Sequence, residues 1–266
     1  LQHKSLLSTS PHPMSGYAGL DRRLVNGPEK SVPPLFDEPL ISNSNALFEK
    51  RASERDISIP RPLFIKTDLI DNASGSAYLE QGKIKVSCAV YGPRAIRKAG
   101  TVVSSTHGTL DCEFSFSSFS SSWRTDYEEK EVSQTLVQAL GPSICFHTFP
   151  KLAVDVFVSV IESDGKSATI STAIKCASIA LVNASIDLYD MVSSVSANLF
   201  GHTWVIDCTQ EEEDNSDASV LVSYMPSSQE ITHIIQSGKG INTCVSSSSK
   251  QYQSMAKFLK FENPSN

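Results

Sequence analysis

The chain has 266 residues, of which 40% are hydrophobic, and its formal net charge is -6. These values are ordinary for one large or two small globular domains, and no stretch approaches the roughly 18 consecutive apolar residues that span a bilayer, so we expect no membrane partner. The acidic charge argues against a protein that coats nucleic acid over its whole surface, and any polyanion would have to bind a local basic patch.

The N-terminal part of the chain is expected to lie outside the folded domain. Residues 1–13 precede Met14, which resembles a natural start, so we expect them to be a cloning remnant. They lack the apolar region and cleavage site of a signal peptide, which favours an intracellular protein. Residues 14–60 should form an arm, because residues 31–62 contain five prolines among polar residues. A single folded domain should then cover residues 61–262.

Six cysteines are scattered along the chain, most of them inside apolar runs such as "KVSCAVY" and "TAIKCASIAL". The chain has no CxxC pair and no paired cysteine and histidine spacing, which are the patterns that hold zinc or build a disulfide framework. We therefore predict reduced cysteines buried in the core, and no bound metal or other cofactor.

The first part of the domain is predicted to be a meandering, mostly antiparallel sheet. "PLFIKTDLI", "GSAYLEQGKIKVSCAVY" and "GTLDCEFSFSSF" have the alternation and turn residues of strands. A helix should then begin at Thr125, which forms a capping box with Glu128, and end at Gly141-Pro142. The residues on its apolar face are Val132, Leu136 and Leu140. The run "LAVDVFVSVI" is predicted to be the next strand.

The second part also combines a helix with a group of strands. After an Asp164-Gly165 turn, "SATISTAIKCASIALVNA" is rich in small residues and predicts a helix packed closely against a sheet. Strands are predicted around "LYDMVSSVSANL", "TWVIDC" and "ASVLVSYM", with "EITHIIQSG" as a hairpin partner, and a last helix from about residue 242 to 261. Groups of strands with helices between them favour an α+β fold over a doubly wound parallel sheet.

Common catalytic signatures are missing from the chain: it has no nucleophile elbow, phosphate loop, dinucleotide fingerprint or zinc-protease motif. The stretch "SDGKSAT" could present the Ser167 hydroxyl, the Lys166 ammonium and backbone N–H groups to an anion at a helix N-terminus. The sequence favours the simpler interpretation, a turn from strand to helix with Ser167 as the helix cap, because short Asp-Gly turns before helices are common. The acidic run "CTQEEEDNSD", residues 208–217, is predicted to be a solvated loop and not a metal site.

A basic cluster follows one of the predicted buried strands. In "SCAVYGPRAIRKAG" the strand is expected to break at Gly92-Pro93 and to be followed by Arg94, Arg97 and Lys98. Such a cluster could contact a phosphate backbone without reading bases, or it could be a solvated basic loop.

Several of these stretches together resemble the RNase PH-like proteins, and in particular the ring subunits of the RNA exosome. The similarity is carried by "KVSCAVYGPR", "FPKLAVDVFVSVIESDGKSAT", "ASIALVNASIDLYDM" and "TWVIDCTQEEED", and it covers nearly all of residues 21–261 in the same order. "GLDRR" ahead of the proline-rich segment, with "IDLYDM", resembles the MTR-three subfamily. The resemblance implies an α+β, RNase PH-like (ribosomal S5 domain 2-like) fold of mixed, mostly antiparallel sheets packed with helices.

The resemblance also implies a degenerate phosphate site. Active members carry an Asp-Gly-Gly-Thr-Arg string whose threonine and arginine hold the attacking phosphate, whereas this chain has Lys166, Ser167 and Ala168 at its last three positions. Active members also keep a second acidic residue beyond the one matched by Asp190, and none follows here before Asp207. Loss of a phosphate ligand and of an acid-base partner predicts a catalytically silent subunit.

Finally, the resemblance implies partners and a location. They are the other RNase PH-like ring subunits in a hetero-hexamer, S1/KH cap subunits, an associated hydrolytic exoribonuclease and single-stranded RNA, in the nucleus, the nucleolus and also the cytoplasm. Arg94, Arg97 and Lys98 would contact the RNA backbone at the channel entrance. The alternatives are an active phosphate-dependent 3'-5' exoribonuclease that uses Lys166 and Asp190, and a ring scaffold that contacts no RNA.

Overall fold

The computed structural model describes residues 55–57, 59–95, 107–120, 126–200, 203–216 and 218–237. Several predictions concern residues outside these ranges. They are the arm up to residue 54, the helix cap at Thr125, the basic residues Arg97 and Lys98, and the helix from about residue 242 to 261.

The described residues form nine β-strands and three α-helices. In chain order the elements are β1 (Leu63–Thr67), β2 (Gly75–Gln81), β3 (Ile84–Ala95), β4 (Thr109–Phe116), α1 (Asp126–Leu140), β5 (Leu152–Glu162), α2 (Lys166–Asn183), β6 (Ser193–Phe200), β7 (Thr203–Ile206), α3 (Gln210–Asp214), β8 (Ala218–Met225) and β9 (Glu230–Ser237). Two short 3-10 helices, Gly141–Ser143 and Phe146–Thr148, follow α1.

The strands build two sheets. The first has the order β1-β2-β3-β5-β4 and is antiparallel except for the parallel pair of β4 and β5. The second has the order β7-β6-β8-β9 and is antiparallel throughout. The predicted α+β class with mixed, mostly antiparallel sheets is confirmed. The simple meander is wrong, because α1 connects β4 to β5 as a crossover, and such a connection joins parallel strands.

Helix α2 lies between the two sheets and contacts β2 and β3 on one side and β6 and β8 on the other. Every residue from 168 to 181 is buried, so the helix has no solvent face. Small side chains permit this close packing. The Ser171 hydroxyl donates to the Ser194 carbonyl at 2.8 Å, and a Cβ on Gly75 would lie 2.3 Å from the Ala184 backbone nitrogen. The prediction of a small-residue helix packed against a sheet is confirmed.

The first sheet and α1 follow the predicted pattern. The inward residues of β5 are Val154, Val156, Val158 and Val160, and the buried residues of α1 include Val132, Leu136 and Leu140. Helix α1 ends at Leu140, before Gly141-Pro142, as the sequence predicted, and a 3-10 helix begins at Gly141. The sequence predicted a strand that begins at Leu188, and this predicted start is wrong. Strand β6 begins at Ser193, and Leu188 makes only an isolated bridge with Ile144.

Five of the six cysteines lie in the described residues, and all five are free and buried: Cys88, Cys112, Cys145, Cys176 and Cys208. Burial raises the pKa of the Cys112 thiol to about 12, so it stays protonated at neutral pH. The prediction of reduced core cysteines is confirmed for these five. Within the described ranges, no helix is long and apolar enough to cross a membrane, and no group of potential ligands is arranged to hold a metal ion.

Candidate functional site at the start of helix α2

The turn that leads from β5 into α2 requires a glycine. Gly165 has φ +91°, a backbone conformation that side chains disfavour, and a Cβ there would lie 2.7 Å from Oε2 of Glu213. Gly165 is also the N-cap residue, and no side chain caps the helix from that position. The hypothesis that Ser167 is the cap is therefore wrong, because Ser167 lies inside the first helical turn.

The hydrogen-bond donors at the start of α2 are bound to a carboxylate of the same chain. The Ser167 backbone N–H donates to Glu213 Oε1 at 3.0 Å, and the Ser167 hydroxyl donates to the same oxygen at 2.6 Å. A negative charge is stabilised there by the free N–H groups and the helix dipole. The stretch "SDGKSAT" thus does present donors to an anion, and in this structure the anion is Glu213.

Glu213 reaches this position because the acidic run forms a helix. Helix α3 has a reciprocal capping box in which the Glu212 N–H donates to the Thr209 hydroxyl and the Thr209 N–H donates to Glu212. The prediction of a solvated loop over residues 208–217 is wrong. The signal was present in the sequence, since Thr209 and Glu212 have the capping-box spacing, but a run of acidic residues more often indicates a solvated segment.

A buried ion cluster fixes α3 next to α2. The Arg61 guanidinium donates to Asp164 at 2.9 Å and to Asp207 at 3.0 Å, and the Arg61 backbone N–H also donates to Asp207. Asp164 in turn accepts from the backbone N–H of Gln210, the first residue of α3. Burial disfavours the charged forms, but the mutual attraction outweighs it. The pKa of Arg61 lies above its usual value and the pKa of Asp207 lies below.

A lysine in the middle of α2 extends this cluster into the core. Lys175 has no exposed surface, and its ammonium donates to the Gln81 side-chain oxygen. The amide nitrogen of Gln81 donates to Asp207. Burial lowers the pKa of Lys175 to about 7. Neither Lys175 nor the cluster was predicted from the sequence, although a lone lysine inside an otherwise small and apolar helix is an unusual feature that could have indicated it.

Beside the start of α2 lies a cavity of about 300 Å³, which we call the α2 cavity. Its apolar lining includes Phe116, Val132 and Ile170, and its charged lining is Glu128, Lys166, Glu213 and Asp214. The Lys166 ammonium lies 3.5 Å from the Glu128 carboxylate. Ala168 is buried and supplies only a methyl group where the resemblance predicted the loss of an arginine. Among the lining residues that the structure describes, carboxylates outnumber cations by three to one.

Asp190 was predicted to share a site with Lys166, and the structure does not bring them together. Lys166 begins α2, whereas Val192, two residues after Asp190, donates its backbone N–H to the Ser178 hydroxyl in the C-terminal half of that helix. Asp190 lies near Val182 in the last turn of α2, and it accepts from the backbone N–H groups of Met191 and Ser227 at 2.8 Å each. It connects the β8–β9 turn to the start of β6. The carboxylates near Lys166 are those of the α2 cavity and the buried cluster.

Arg94 lies near the end of β3. The sequence predicted that this strand breaks at Gly92-Pro93, and the structure shows that it does not. The strand continues to Ala95, and its pairing with β5 shifts register between Tyr91 and Arg94. Arg94 is exposed, forms an ion pair with Asp155 of β5 and lies 5.7 Å from the centre of the Tyr91 ring. RNA binding by Arg94, Arg97 and Lys98 remains a prediction.

Comparison with known proteins places this arrangement in a family. Residues 60–187 match the 3' exoribonuclease family, domain 1, and residues 190–245 match domain 2 of the same family. The chain belongs to the RNase PH family. This confirms the fold that the sequence resemblance implied, and it identifies the start of α2, with its "SDGKSAT" turn, as part of an RNase PH domain.

Within the RNase PH family, the chain is similar to individual exosome components. The chain is 38% identical to the exosome complex component mtr3 of Schizosaccharomyces pombe, over 82% of this chain and 84% of that protein. It is 31% identical to human exosome complex component MTR3, over 83% and 84% of the two chains. The crystal structure of rice Rrp46 has the same fold, with a TM-score of 0.68 and 21% identity over 79% of this chain and 98% of that one. The MTR-three resemblance is confirmed.

Proposed function

We propose that this chain is a non-catalytic subunit of an exosome ring. It helps to assemble a hexameric barrel with other RNase PH-like subunits and guides single-stranded RNA into the central channel. S1/KH cap subunits and an associated hydrolytic exoribonuclease are the further partners, and the complex acts in 3'-5' RNA processing and degradation in the nucleus, the nucleolus and the cytoplasm. The proposal is supported by the similarity to Mtr3 exosome components and to the fold of the archaeal exosome core.

The observation that carries the non-catalytic role is the contact between Glu213 and Ser167. A phosphate ion bound to the same donors would approach the Glu213 carboxylate closely. Two like charges about 4 Å apart near a protein surface repel by about 4 kcal/mol, which corresponds to roughly a thousandfold loss of affinity. Lys166 offsets little of this repulsion, because its ammonium is exposed and paired with Glu128.

The buried carboxylates next to α2 are also unsuited to proton transfer. Asp207 is 2% exposed and accepts hydrogen bonds from Arg61 and Gln81. Its lowered pKa keeps it ionised, so it has no proton to donate to a leaving group. Asp164 is buried against Arg61 in the same way. These contacts support a structural role for both residues, in which they hold α3 and the segment before β1 against α2.

The experiment is a nucleolytic assay of the assembled ring with single-stranded RNA and inorganic phosphate, in which released nucleoside diphosphates are measured. The test variant is Lys166→Ala, which changes, at an exposed position, the one cation among the described residues that line the α2 cavity. Lys130→Ala, on the exposed side of α1, is the matched control. We expect neither change to alter the release. A loss of nucleoside diphosphates with Lys166→Ala alone would show that this chain contributes an active phosphorolytic site.

A further inference from the structure

The α2 cavity carries an excess of negative charge that its own residues do not neutralise. Of its three carboxylates, Glu128 faces the Lys166 ammonium and Glu213 is held by Ser167. Asp214 is exposed, and no side chain among the described residues forms an ion pair with it. With three carboxylates and one ammonium, the described lining residues carry two net negative charges. It therefore repels RNA and phosphate and attracts cations.

The buried lining residues Val132 and Ile170 are apolar, and they form a floor that restricts the kind of cation that fits. A long side chain that packs its aliphatic stem on Phe116, Val132 and Ile170 could place a terminal charge at the acidic rim. An exposed aromatic ring belongs to the segment that follows β4, three residues beyond the lining residue Phe116. Phe119 is 77% exposed, and the carbonyl of its neighbour Ser120 accepts a hydrogen bond from a cavity residue. Aromatic rings add to the binding of guanidinium groups.

We propose that the α2 cavity is a docking pocket for an arginine-bearing segment of another protein chain. The planar guanidinium group suits a rim with several carboxylates, because it donates hydrogen bonds in two directions at once. A small metal ion would leave the apolar floor unused. The inference rests on the proposed non-catalytic function, since a protein segment can occupy the cavity only if RNA and phosphate do not.

The test is a titration of the full chain against a fluorescein-labelled peptide of alternating glycine and arginine, measured by fluorescence anisotropy at physiological ionic strength. The double variant Glu128→Gln/Asp214→Asn removes two rim charges and should weaken peptide binding about tenfold, because each partly exposed pair contributes a few-fold. The matched control Glu211→Gln/Glu230→Gln removes two exposed charges that lie outside the cavity lining. We expect it to change the affinity less than twofold.

Two outcomes would overturn the proposal. They are absence of peptide binding by the unchanged chain and equal weakening in the two double variants. Equal weakening would show attraction by the acidic surface as a whole. The peptide titration does not measure nucleoside diphosphates, so a failure of the docking proposal is distinguishable from a failure of the proposed non-catalytic role.

Discussion

Glu213 accepts two hydrogen bonds from Ser167, one from the backbone N–H at 3.0 Å and one from the hydroxyl at 2.6 Å. The two residues are 46 positions apart in the sequence. Their contact joins the short helix α3 to the first turn of the central helix α2, and it places a fixed negative charge where the resemblance to active enzymes predicts an attacking phosphate. The hydrogen-bond donors of Ser167 at the start of α2 are thus bound by a carboxylate of the same chain.

This contact should be measurable as stability. Glu213→Ala leaves the Ser167 donors without a partner at a helix N-terminus, and we expect the free energy of unfolding to fall by about 1–2 kcal/mol. The measurement is urea denaturation of the full chain. Glu211→Ala, on the exposed side of α3, is the matched control and should change the value by less than about 0.5 kcal/mol. Equal losses in both variants would contradict a specific role for Glu213.

Gly165 provides a second test of the same geometry. Gly165→Ala forces a side chain into a φ of +91° and to within 2.7 Å of Glu213, and we expect a loss of about 1–3 kcal/mol. Gly141→Ala is a suitable comparison, since nothing lies within 4 Å of a Cβ at that position. That control should be neutral or slightly stabilising. If Gly165→Ala behaved like Gly141→Ala in thermal unfolding, the tight turn described here would be wrong.

The buried Lys175 predicts a pH dependence of stability. Its pKa falls from the ordinary 10.5 to about 7 on folding because of burial. Between these values the unfolded chain binds a proton that the folded chain does not, so stability should rise from pH 7 toward pH 10, by up to about 1.4 kcal/mol per pH unit. Lys175→Met should remove this contribution, and Gln81 would still accept from the Thr172 hydroxyl.

The measurement is the free energy of unfolding of the unchanged chain and of Lys175→Met at several pH values between 7 and 9. Comparison with the variant separates Lys175 from cysteines and other groups that ionise in this range. We expect a steeper rise in the unchanged chain. Parallel pH profiles would show that Lys175 does not change its protonation on folding.

RNA guidance by the basic cluster predicts a change in salt dependence. Changing Arg94, Arg97 and Lys98 to alanine in the assembled ring should lower the slope of log affinity against log salt by about 0.7 for each phosphate that is no longer neutralised. The affinity for single-stranded RNA should fall for all sequences alike. Lys85→Ala, at the other end of β3 and paired with Glu162, is the control. An unchanged slope in the triple variant would favour a scaffold that does not contact RNA.

Much of the fold could be predicted because its signals are local. The apolar periods of α1 and α2, the alternation in β5 and the glycine and proline turns each arise from neighbouring residues. The resemblance to a known family then implied the RNase PH-like fold, but not the order of its strands. The parallel pairing of β4 with β5 was not predicted, since pairing partners depend on how the α1 crossover packs and not on the strands themselves.

The site was harder to predict because its contacts join distant parts of the chain. Arg61 and Asp207 are 146 positions apart, and neither residue has a local pattern that indicates the other. Asp190 shows the converse case. It was matched by motif to a catalytic position, but its contacts lie beside the C-terminal half of α2, whereas Lys166 begins that helix. Glu213 was overlooked because a run of like charges usually indicates solvated chain.

The most direct test of a silent subunit is binding of phosphate itself. Inorganic phosphate is titrated into the full chain in a calorimeter, with Lys166→Ala as the comparison. We expect no saturable binding in either protein, because the Glu213 carboxylate already occupies the donors at the start of α2. Saturable binding by the unchanged chain that disappears in Lys166→Ala would show a functional phosphate site and contradict the account.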